Sequence, residues 1–286
     1  MGRLVKVLIT GAGGQLGQDL SLAFGADDCI AARHADLDVG DRDQVLGIIT
    51  SLAPDVVVHA AAWTAVDACE ADSDRAWRIN ALGARHVAEA CARAGSYLCA
   101  VSTDYVFDGR ADAPYTEWDA TNPLSMYGRS KLAGEREVLA GAPGAAVVRT
   151  SWLCGAGGPN FVKTMVRLAA GDATVPVVDD QYGCPTFTAD LASMIRRLAA
   201  YRLPGVFHVT NGGPTTWWGL ARDVFALAGA DSARVVPITT AELDPPRPAP
   251  RPVNSVLDNA ALRLSGIPVL PDHHEPLERL VKDLLA

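Results

Sequence analysis

A glycine-rich turn close to the start of the chain most constrains what this sequence can fold into. An apolar run at Leu4–Ile9 precedes the turn, and Gln15–Ala23 after it has helical spacing. Glycines in such a strand–turn–helix unit permit a tight turn and let the backbone approach a pyrophosphate, whose charge the helix N-terminus favours. A turn without a ligand is the alternative. We expect a dinucleotide to bind at Gly11, Gly14, Gln15, Leu16 and Gly17.

Strand-like and helix-like segments alternate through the first half of the chain. The strand-like segments are apolar throughout, as in parallel strands that are covered on both faces. The sequence therefore predicts an α/β fold, with a Rossmann-type doubly wound parallel sheet that binds NAD(P) over residues 1–150. After the first strand and helix, the predicted elements are Cys29–Ala32, Asp41–Leu52, Asp55–His59, Asp72–Ala94, Tyr97–Val101, Met126–Leu139 and Ala145–Val148.

After residue 150 the alternation of strand-like and helix-like segments becomes less regular. Residues 244–252 contain too many prolines for a helix or an interior strand, so we expect an extended connection there. We expect residues 151–286 to form mainly a smaller α/β region that binds the substrate, from which the chain can cross back to the sheet. The predicted elements are Val175–Val178, Ala189–Tyr201, Val206–Val209, Trp217–Ala228, Arg234–Pro237 and Pro276–Leu285.

Composition excludes several classes of protein. The 286 residues are 49% hydrophobic and 20% charged, as in an ordinary globular enzyme. The net charge is −8 and no basic stripe is present, which argues against nucleic acid as a partner. No apolar stretch reaches membrane-spanning length, and the start Met-Gly-Arg-Leu-Val-Lys has no room for a signal peptide. We therefore expect a cytoplasmic protein without a membrane partner.

The six cysteines are scattered and form no Cys-x-x-Cys pair. Such cysteines are usually small buried hydrophobic residues or incidental surface thiols. We expect neither a disulfide nor a metal site.

A tyrosine and a lysine carry the strongest chemical signal. Tyr127 and Lys131 are four residues apart at the start of a predicted helix and share one face, and Thr103 follows the fourth predicted strand. Reducing a ketone requires a hydride and a proton, and a nearby ammonium lowers the phenol pKa from about 10. Tyr and Lys also occur at this spacing by chance, but the combination favours a nicotinamide-dependent oxidoreductase with Thr103, Tyr127 and Lys131 as catalytic residues. Tyr127 and Lys131 would also contact the cofactor.

The second predicted strand ends Ala31-Ala32-Arg33-His34, without an acid to bind a ribose 2′-hydroxyl. Arg33 either pairs with a 2′-phosphate or is a solvated surface cation. Either Asp36 or Asp38 is a candidate for the adenine or ribose. We also expect the cofactor to contact Ala60 and Ala61, which follow the third strand. NADPH is therefore favoured, and NADH stays possible.

Several specific sequence motifs, spread over nearly the whole chain, resemble those of a known family. The chain resembles the dTDP-4-dehydrorhamnose reductase family, in the extended branch of the short-chain dehydrogenases, whose glycine spacing is G-x-x-G-x-x-G. The runs Ser-Thr-Asp-Tyr-Val-Phe-Asp-Gly and Tyr-Gly-Arg-Ser-Lys-Leu-Ala-Gly-Glu are specific to it. The matching segments are Gly11–Gly17, Pro54–Ala71, Ser102–Gly109, Asn122–Glu135, Arg149–Trp152, Asp180–Thr186 and Arg251–Ser255.

The resemblance implies NADPH-dependent reduction of the 4-keto group of dTDP-4-dehydro-6-deoxy-L-mannose to dTDP-L-rhamnose, with Tyr127 as proton donor. It implies that the substrate contacts Asp104, Tyr105, Trp152, Gln181 and Arg251, with Val66 or Asp67 near the cleft. Trp152 is equally well a core aromatic residue, and Arg251 a solvated cation. Asn80 either positions the active-site Lys through a water or has a surface or capping role.

The chain also departs from the family pattern. His59, Trp63 and Cys154 stand where Asn, Tyr and Tyr are usual, which leaves the sugar open, since related reductases act on other dTDP-4-keto-6-deoxysugars in antibiotic biosynthesis. A non-catalytic regulatory subunit shares the fold. A 4,6-dehydratase would place Asp-Glu after the Thr, where this chain has Asp104-Tyr105. Some members bind magnesium between subunits, but no motif for it is present, and a monomer or homodimer is expected.

Overall fold

The computed structural model describes residues 6–25 and 29–286. Leu4 and Val5 of the strand predicted over Leu4–Ile9 lie outside the described residues. Most of the segment Met-Gly-Arg-Leu-Val-Lys, on which the expectation about a signal peptide rests, also lies outside them. Within the described residues, the strands in chain order are β1 (Val7–Thr10), β2 (Cys29–Ala32), β3 (Val56–His59), β4 (Tyr97–Thr103), β5 (Ala146–Thr150), β6 (Leu153–Cys154), β7 (Val175–Val178), β8 (Tyr182–Gly183), β9 (Thr186–Phe187), β10 (Gly205–His208), β11 (Thr215–Thr216) and β12 (Val235–Ile238).

Helices and strands alternate along most of the described chain. A π-helical stretch, Trp77–Leu82, joins the fourth helix to the fifth, and short 3₁₀ turns occur elsewhere, among them Asp104–Val106. The helices are α1 (Gln15–Phe24), α2 (Arg42–Leu52), α3 (Val66–Ala71), α4 (Ser73–Ala76), α5 (Gly83–Ala94), α6 (Met126–Gly141), α7 (Phe161–Ala169), α8 (Thr188–Tyr201), α9 (Trp217–Leu227), α10 (Ala260–Leu264) and α11 (His274–Leu285).

A parallel sheet with helices on both faces forms the centre of the described chain. Six strands lie in the order β2-β1-β3-β4-β5-β10. Successive residues of a strand point to opposite faces: Ile9 packs in the core with α1 and α8, and Leu8 packs in the core with α2, α5 and α6. Burial on both faces explains why these strands are uniformly apolar. The predicted doubly wound parallel sheet is confirmed.

The strand order creates a crevice at one edge of the sheet. From β1 the chain first adds β2 on one side, and it then crosses over to place β3 on the other side of β1. The carboxyl ends of β1 and β3 therefore diverge into opposite connections, and ligands bind at such a switch point in open α/β sheets. The glycine turn follows β1 at this edge, and Thr103 ends β4 along the same edge.

The second half forms another core and also returns to the sheet. Helix α8 packs against α1, and β10 pairs with β5. Helices α7, α9 and α11 enclose a separate apolar cluster together with β7 and β12. Residues 244–252 form neither helix nor strand, as predicted. Across residues 6–25 and 29–286, no helix is long and apolar enough to cross a membrane.

Some elements differ from the sequence prediction. The helix predicted over Asp72–Ala94 includes the π-helical stretch, and Asn80 inside it hydrogen-bonds the backbone of Trp63 with both ends of its amide. π-Helical turns commonly occur at functional sites. Helices α3, α7 and α10 were not predicted. For α7 a signal existed, since Asn160 caps it and apolar residues follow at helical spacing.

Candidate active site

The three predicted catalytic residues meet where β4 and α6 approach each other. Thr103 ends β4, while Tyr127 and Lys131 lie one turn apart on the buried face of α6. The Tyr127 phenol interacts with the Thr103 hydroxyl. The Lys131 ammonium donates a hydrogen bond to the Val101 carbonyl over 2.7 Å. The hydroxyl, the phenol and the ammonium therefore converge on one place.

Two small features hold α6 in this position. Ser125 caps the helix, and its hydroxyl accepts a hydrogen bond of 3.2 Å from the Gly128 amide. A Cβ atom at Gly128 would overlap the Tyr105 carbonyl oxygen, so only glycine lets the first turn of α6 lie against the 3₁₀ turn after β4. The close approach of α6 to the turn after β4 therefore depends on Gly128.

The acid–base properties of Tyr127 and Lys131 depart from the sequence expectation. Burial raises the pKa of Tyr127, whereas a neighbouring ammonium was expected to lower it. Burial also lowers the pKa of Lys131 to about 8, partly opposed by Glu135. For both groups the loss of hydration on burial is the largest cause of the shift. Tyr127 is therefore a neutral phenol at neutral pH, which is the form that a proton donor needs.

A buried ion pair lies behind the lysine. Arg149 on β5 binds both carboxylate oxygens of Glu135, at 2.9 and 2.7 Å, and the Ser102 hydroxyl donates to the same carboxylate over 2.5 Å. Glu135 follows Lys131 by one turn of α6 and favours its charged form. Breaking such a pair leaves an unpaired buried charge, so this network fixes the sheet side of the site.

One departure from the family pattern, His59, lies beside this network, as does Asn80. His59 is buried, its Nδ1 lies 2.8 Å from the Thr10 hydroxyl, and burial beside Lys131 lowers its pKa to about 3. Asn80 donates a 3.0 Å hydrogen bond to the Ser130 hydroxyl on α6. Asn80 thus links the loop after β3 directly to the helix of Tyr127 and Lys131.

The glycine turn is shaped by close backbone contacts. Gly11 has a φ of 72°, and a Cβ atom there would come within 2.6 Å of the Ala61 nitrogen. At Gly17 a Cβ atom would overlap the Gly11 carbonyl oxygen. Among the described residues, no side chain caps α1 at Gly14, so the first N–H groups of the helix face the open turn. The residues present fit a dinucleotide pyrophosphate.

One end of the crevice is a cavity of about 300 Å³ beside this turn. It contains the predicted cofactor residues Asp38, Ala60 and Ala61, together with His34 and Arg75. Arg33 is exposed at its rim, and its aliphatic stem lies over Gly13. The Arg75 guanidinium lies 4.6 Å from the centre of the Trp63 ring. The sequence analysis missed Arg75, because no local motif distinguishes it from other surface arginines.

The main cleft, of about 490 Å³, continues from the turn to the three predicted catalytic residues. Its wall brings together the predicted residues Gly11, Gly14, Gln15, Leu16, Gly17, Ala60, Thr103, Asp104, Tyr105, Tyr127, Lys131 and Trp152. The sequence analysis missed Trp217, whose ring stacks on that of Trp152 with centroids 3.6 Å apart. A Trp–Trp pair at the start of a predicted helix was the available signal.

The acidic residue after Thr103 is almost completely buried. Burial raises the pKa of Asp104 to about 6, although hydrogen bonds to its carboxylate oppose this shift. Burial likewise raises the pKa of Tyr105 to about 12. The ring of Tyr105 meets that of Tyr127 edge-on with centroids 5.5 Å apart. The residues predicted to face the sugar therefore adjoin the Tyr127 phenol.

Two predicted substrate residues lie outside the cleft wall. Gln181 is buried and donates to the Thr240 hydroxyl over 2.9 Å. Arg251 forms a two-point ion pair with Asp67, at 2.5 and 2.7 Å, and it also contacts Tyr105. The Ala249 amide donates to the same carboxylate over 3.1 Å. The proline-rich connection is therefore fastened beside the cleft.

Comparison with known proteins agrees with this geometry. Residues 5–286 match the family model described as the RmlD substrate binding domain. A dTDP-4-dehydrorhamnose reductase of Streptomyces griseus is 46% identical, over 91% of this chain and 88% of that protein. A dTDP-4-keto-6-deoxy-D-glucose reductase of Streptomyces niveus is 43% identical, over 91% of each.

A solved structure extends the match to three dimensions. The dTDP-4-dehydrorhamnose reductase of Bacillus anthracis, in complex with NADP, superposes with a TM-score of 0.94 at 38% identity, over 98% of this chain and 100% of that one. Because the family model and these relatives cover nearly the whole chain, the protein described here belongs to the RmlD substrate binding domain family.

Proposed function

We propose that this protein is an NADPH-dependent oxidoreductase that reduces the 4-keto group of dTDP-4-dehydro-6-deoxy-L-mannose to give dTDP-L-rhamnose. The observation that carries the proposal is the convergence of Thr103, Tyr127 and Lys131 in a cleft that begins at the glycine turn. The names of the relatives from Streptomyces griseus and Bacillus anthracis support this substrate.

The cofactor would occupy the crevice between β1 and β3. The turn at Gly11 and the N-terminus of α1 would hold the pyrophosphate, and the cavity at Asp38 and Ala60 would take the adenosine. Arg33 at the rim carries the charge that a 2′-phosphate requires. Bound NADPH supplies the hydride, and NADP in the Bacillus anthracis relative supports this choice over NADH.

Tyr127 would deliver the proton to the developing alkoxide. Its raised pKa keeps the phenol protonated at neutral pH, so the proton is present when the substrate arrives. The Thr103 hydroxyl would orient the carbonyl oxygen. The charge of Lys131, supported by Glu135, would stabilise the tyrosinate that remains after proton transfer.

The rest of the cleft would select the substrate. Asp104 and Tyr105 would face the sugar, and the stacked Trp152 and Trp217 would offer it or the base an apolar surface. Arg251 would bind the diphosphate by giving up its contact with Asp67, with Gln181 on the same side. In this proposal residues 1–150 mainly bind the cofactor and residues 151–286 mainly bind the nucleotide sugar, in a cytoplasmic enzyme.

The test is the oxidation of NADPH or NADH with dTDP-4-dehydro-6-deoxy-L-mannose generated in situ by coupled enzymes. The proposal predicts rapid NADPH oxidation, slower NADH oxidation, and dTDP-L-rhamnose as the product. Turnover only with a different dTDP-4-keto-6-deoxysugar would favour the alternative suggested by the Streptomyces niveus relative. Cofactor binding without turnover on any such sugar would point to a regulatory subunit.

A further inference from the structure

A cluster of two histidines and an aspartate lies in the second half of the chain, apart from the residues that form the cleft wall. His273 and His274 stand at the start of α11, and Asp223 lies on α9, which packs against α11. One ligand atom from each of the three residues lies within 4.8 Å of those of the other two. The two imidazole rings are stacked with centroids 4.1 Å apart.

The surroundings of His273 leave one ring nitrogen ready to bind a ligand. Its Nδ1 lies 3.2 Å from the Gly212 carbonyl oxygen, which can only accept, so Nδ1 carries the proton and Nε2 carries the lone pair. The side chain is 2% exposed, and Nε2 has no hydrogen-bond partner among the described residues. A buried acceptor without a partner is unfavourable, so this atom calls for an explanation.

A carboxylate fixes the tautomer of His274 in the same way. Its Nδ1 lies 2.5 Å from the Asp272 carboxylate oxygen, which places the proton on Nδ1 and leaves the lone pair on Nε2. That Nε2 lies 4.0 Å from a carboxylate oxygen of Asp223. A carbonyl or carboxylate bound to the remote ring nitrogen is the usual arrangement behind a metal-binding histidine, because it fixes the tautomer and the ring orientation.

We propose that His273, His274 and Asp223 form a binding site for a divalent transition-metal cation of the Zn²⁺ class. Two imidazole nitrogens and one carboxylate oxygen suit Zn²⁺, whereas Mg²⁺ prefers a shell of oxygens. His274 and Asp223 are partly exposed, with side-chain accessibilities of 67% and 42%, so the ion can enter from solvent and complete its coordination with water.

Such a site would fasten α11 to α9 at one end of the apolar cluster that both helices share. Because the ligands come from two helices that are distant in sequence, only the folded chain brings them together. A cation that binds only the folded state stabilises it by mass action. The sequence analysis expected no metal site because it considered cysteine spacing, and nothing local to the His-His pair identifies Asp223 as a third ligand.

Calorimetric titration of the full chain with ZnCl₂, free of any histidine tag and of chelating buffer, tests the proposal. We expect one Zn²⁺ per chain, with His274→Ala and Asp223→Asn each weakening the affinity about tenfold or more. Asp283→Asn, an exposed carboxylate further along α11, is the matched control and should leave the affinity unchanged. Absence of binding, or binding that survives both substitutions, would overturn the site.

Two further readouts distinguish this site from binding at cysteines or in the unfolded chain. Co²⁺ should give visible d–d bands without a thiolate charge-transfer band, and acidification should abolish the bands because protonated imidazoles cannot bind the metal. Zn²⁺ should raise the Tm of the wild type but not that of His274→Ala, which replaces an exposed side chain. A thiolate band, or an equal Tm shift in both proteins, would contradict the proposal.

Discussion

The two walls of the cleft are held in place by different kinds of contact. On the sheet side, the backbone fixes the reacting groups: Lys131 donates to the Val101 carbonyl, and Gly128 lets α6 lie against the turn after β4. On the outer side, side chains from distant segments hold one another, as Trp152 and Trp217 do by stacking. Arg251, which lies beside the cleft on this outer side, is held by its ion pair with Asp67 in the same manner.

This difference suggests a division of roles between the walls. Backbone contacts and buried charges resist rearrangement, so the sheet wall is preorganised for chemistry. A side-chain ion pair can exchange partners with a ligand, so the outer wall can adapt to the substrate. Substitutions in the sheet wall should then change kcat or folding, and substitutions in the outer wall should change KM.

Replacing the phenol is the strongest test of the sheet wall. Tyr127→Phe removes the proton donor and keeps the ring, so we expect kcat to fall by about 10²–10⁴-fold with NADPH affinity little changed. Steady-state kinetics with a fluorescence titration of NADPH measures both. Tyr201→Phe, at an exposed tyrosine on α8, is the matched control. A kcat close to that of wild type in Tyr127→Phe would remove Tyr127 from the mechanism.

The buried carboxyl of the sheet wall should appear in the pH dependence of stability. The folded-state pKa of Asp104 is raised to about 6, so between pH 4 and pH 6 the unfolded chain releases a proton that the folded chain keeps. The free energy of unfolding therefore falls as pH rises through this window. Asp104→Asn should lack this decline. The free energy of unfolding of the variant, relative to that of wild type, should therefore increase by up to about 3 kcal/mol between pH 4 and pH 7. Urea unfolding at both pH values measures it, and parallel pH profiles would contradict the buried, raised carboxyl.

The glycine turn offers a matched pair of substitutions. At Gly17 a Cβ atom would overlap the Gly11 carbonyl oxygen, so Gly17→Ala should cost about 1–3 kcal/mol of stability and weaken NADPH binding. At Gly47 in α2 a Cβ atom has no heavy atom within 4 Å, so Gly47→Ala should stabilise by about 0.5–1 kcal/mol. Chemical denaturation compares the two variants. A stable Gly17→Ala with normal NADPH affinity would show that the turn tolerates rearrangement.

On the outer side of the cleft the expected effects are smaller and concern substrate binding. Arg251→Lys keeps the charge but loses the two-point fork, so KM for the nucleotide sugar should rise about tenfold with kcat nearly unchanged. Asp67→Asn should lower KM for the nucleotide sugar, because it releases Arg251 from its ion pair. Steady-state kinetics over nucleotide-sugar concentration measures both. A loss of kcat at constant KM in Arg251→Lys would break the division between the walls.

The features that sequence reasoning predicted are those encoded locally. The apolar runs that became β3 and β4, the glycine turn, and the spacing of Tyr127 and Lys131 each depend on neighbours within a few residues. Parallel strands place their carboxyl ends at the same edge of the sheet. The positions of Gly11 and Thr103 after two such strands were therefore enough to predict that they share one cleft.

The features that sequence reasoning missed depend on contacts between distant segments. Nothing near Trp217 indicates that it stacks on Trp152, and nothing near Arg251 indicates Asp67 as its partner. The direction of the Tyr127 pKa shift was wrong because desolvation depends on the three-dimensional burial of the phenol, which spacing does not report. The π-helical stretch around Asn80 likewise accompanies a hydrogen bond to Trp63 in another segment.

The most direct test of the central claim follows the hydride itself. NADPH deuterated at either face of nicotinamide C4 is incubated with the protein and dTDP-4-dehydro-6-deoxy-L-mannose, and the sugar product is analysed by NMR and mass spectrometry. The account predicts dTDP-L-rhamnose with deuterium at C4 of the sugar from one labelled face, and no such product from Tyr127→Phe on the same timescale. Sugar product without deuterium from either face, or labelled product at an equal rate from Tyr127→Phe, would contradict it.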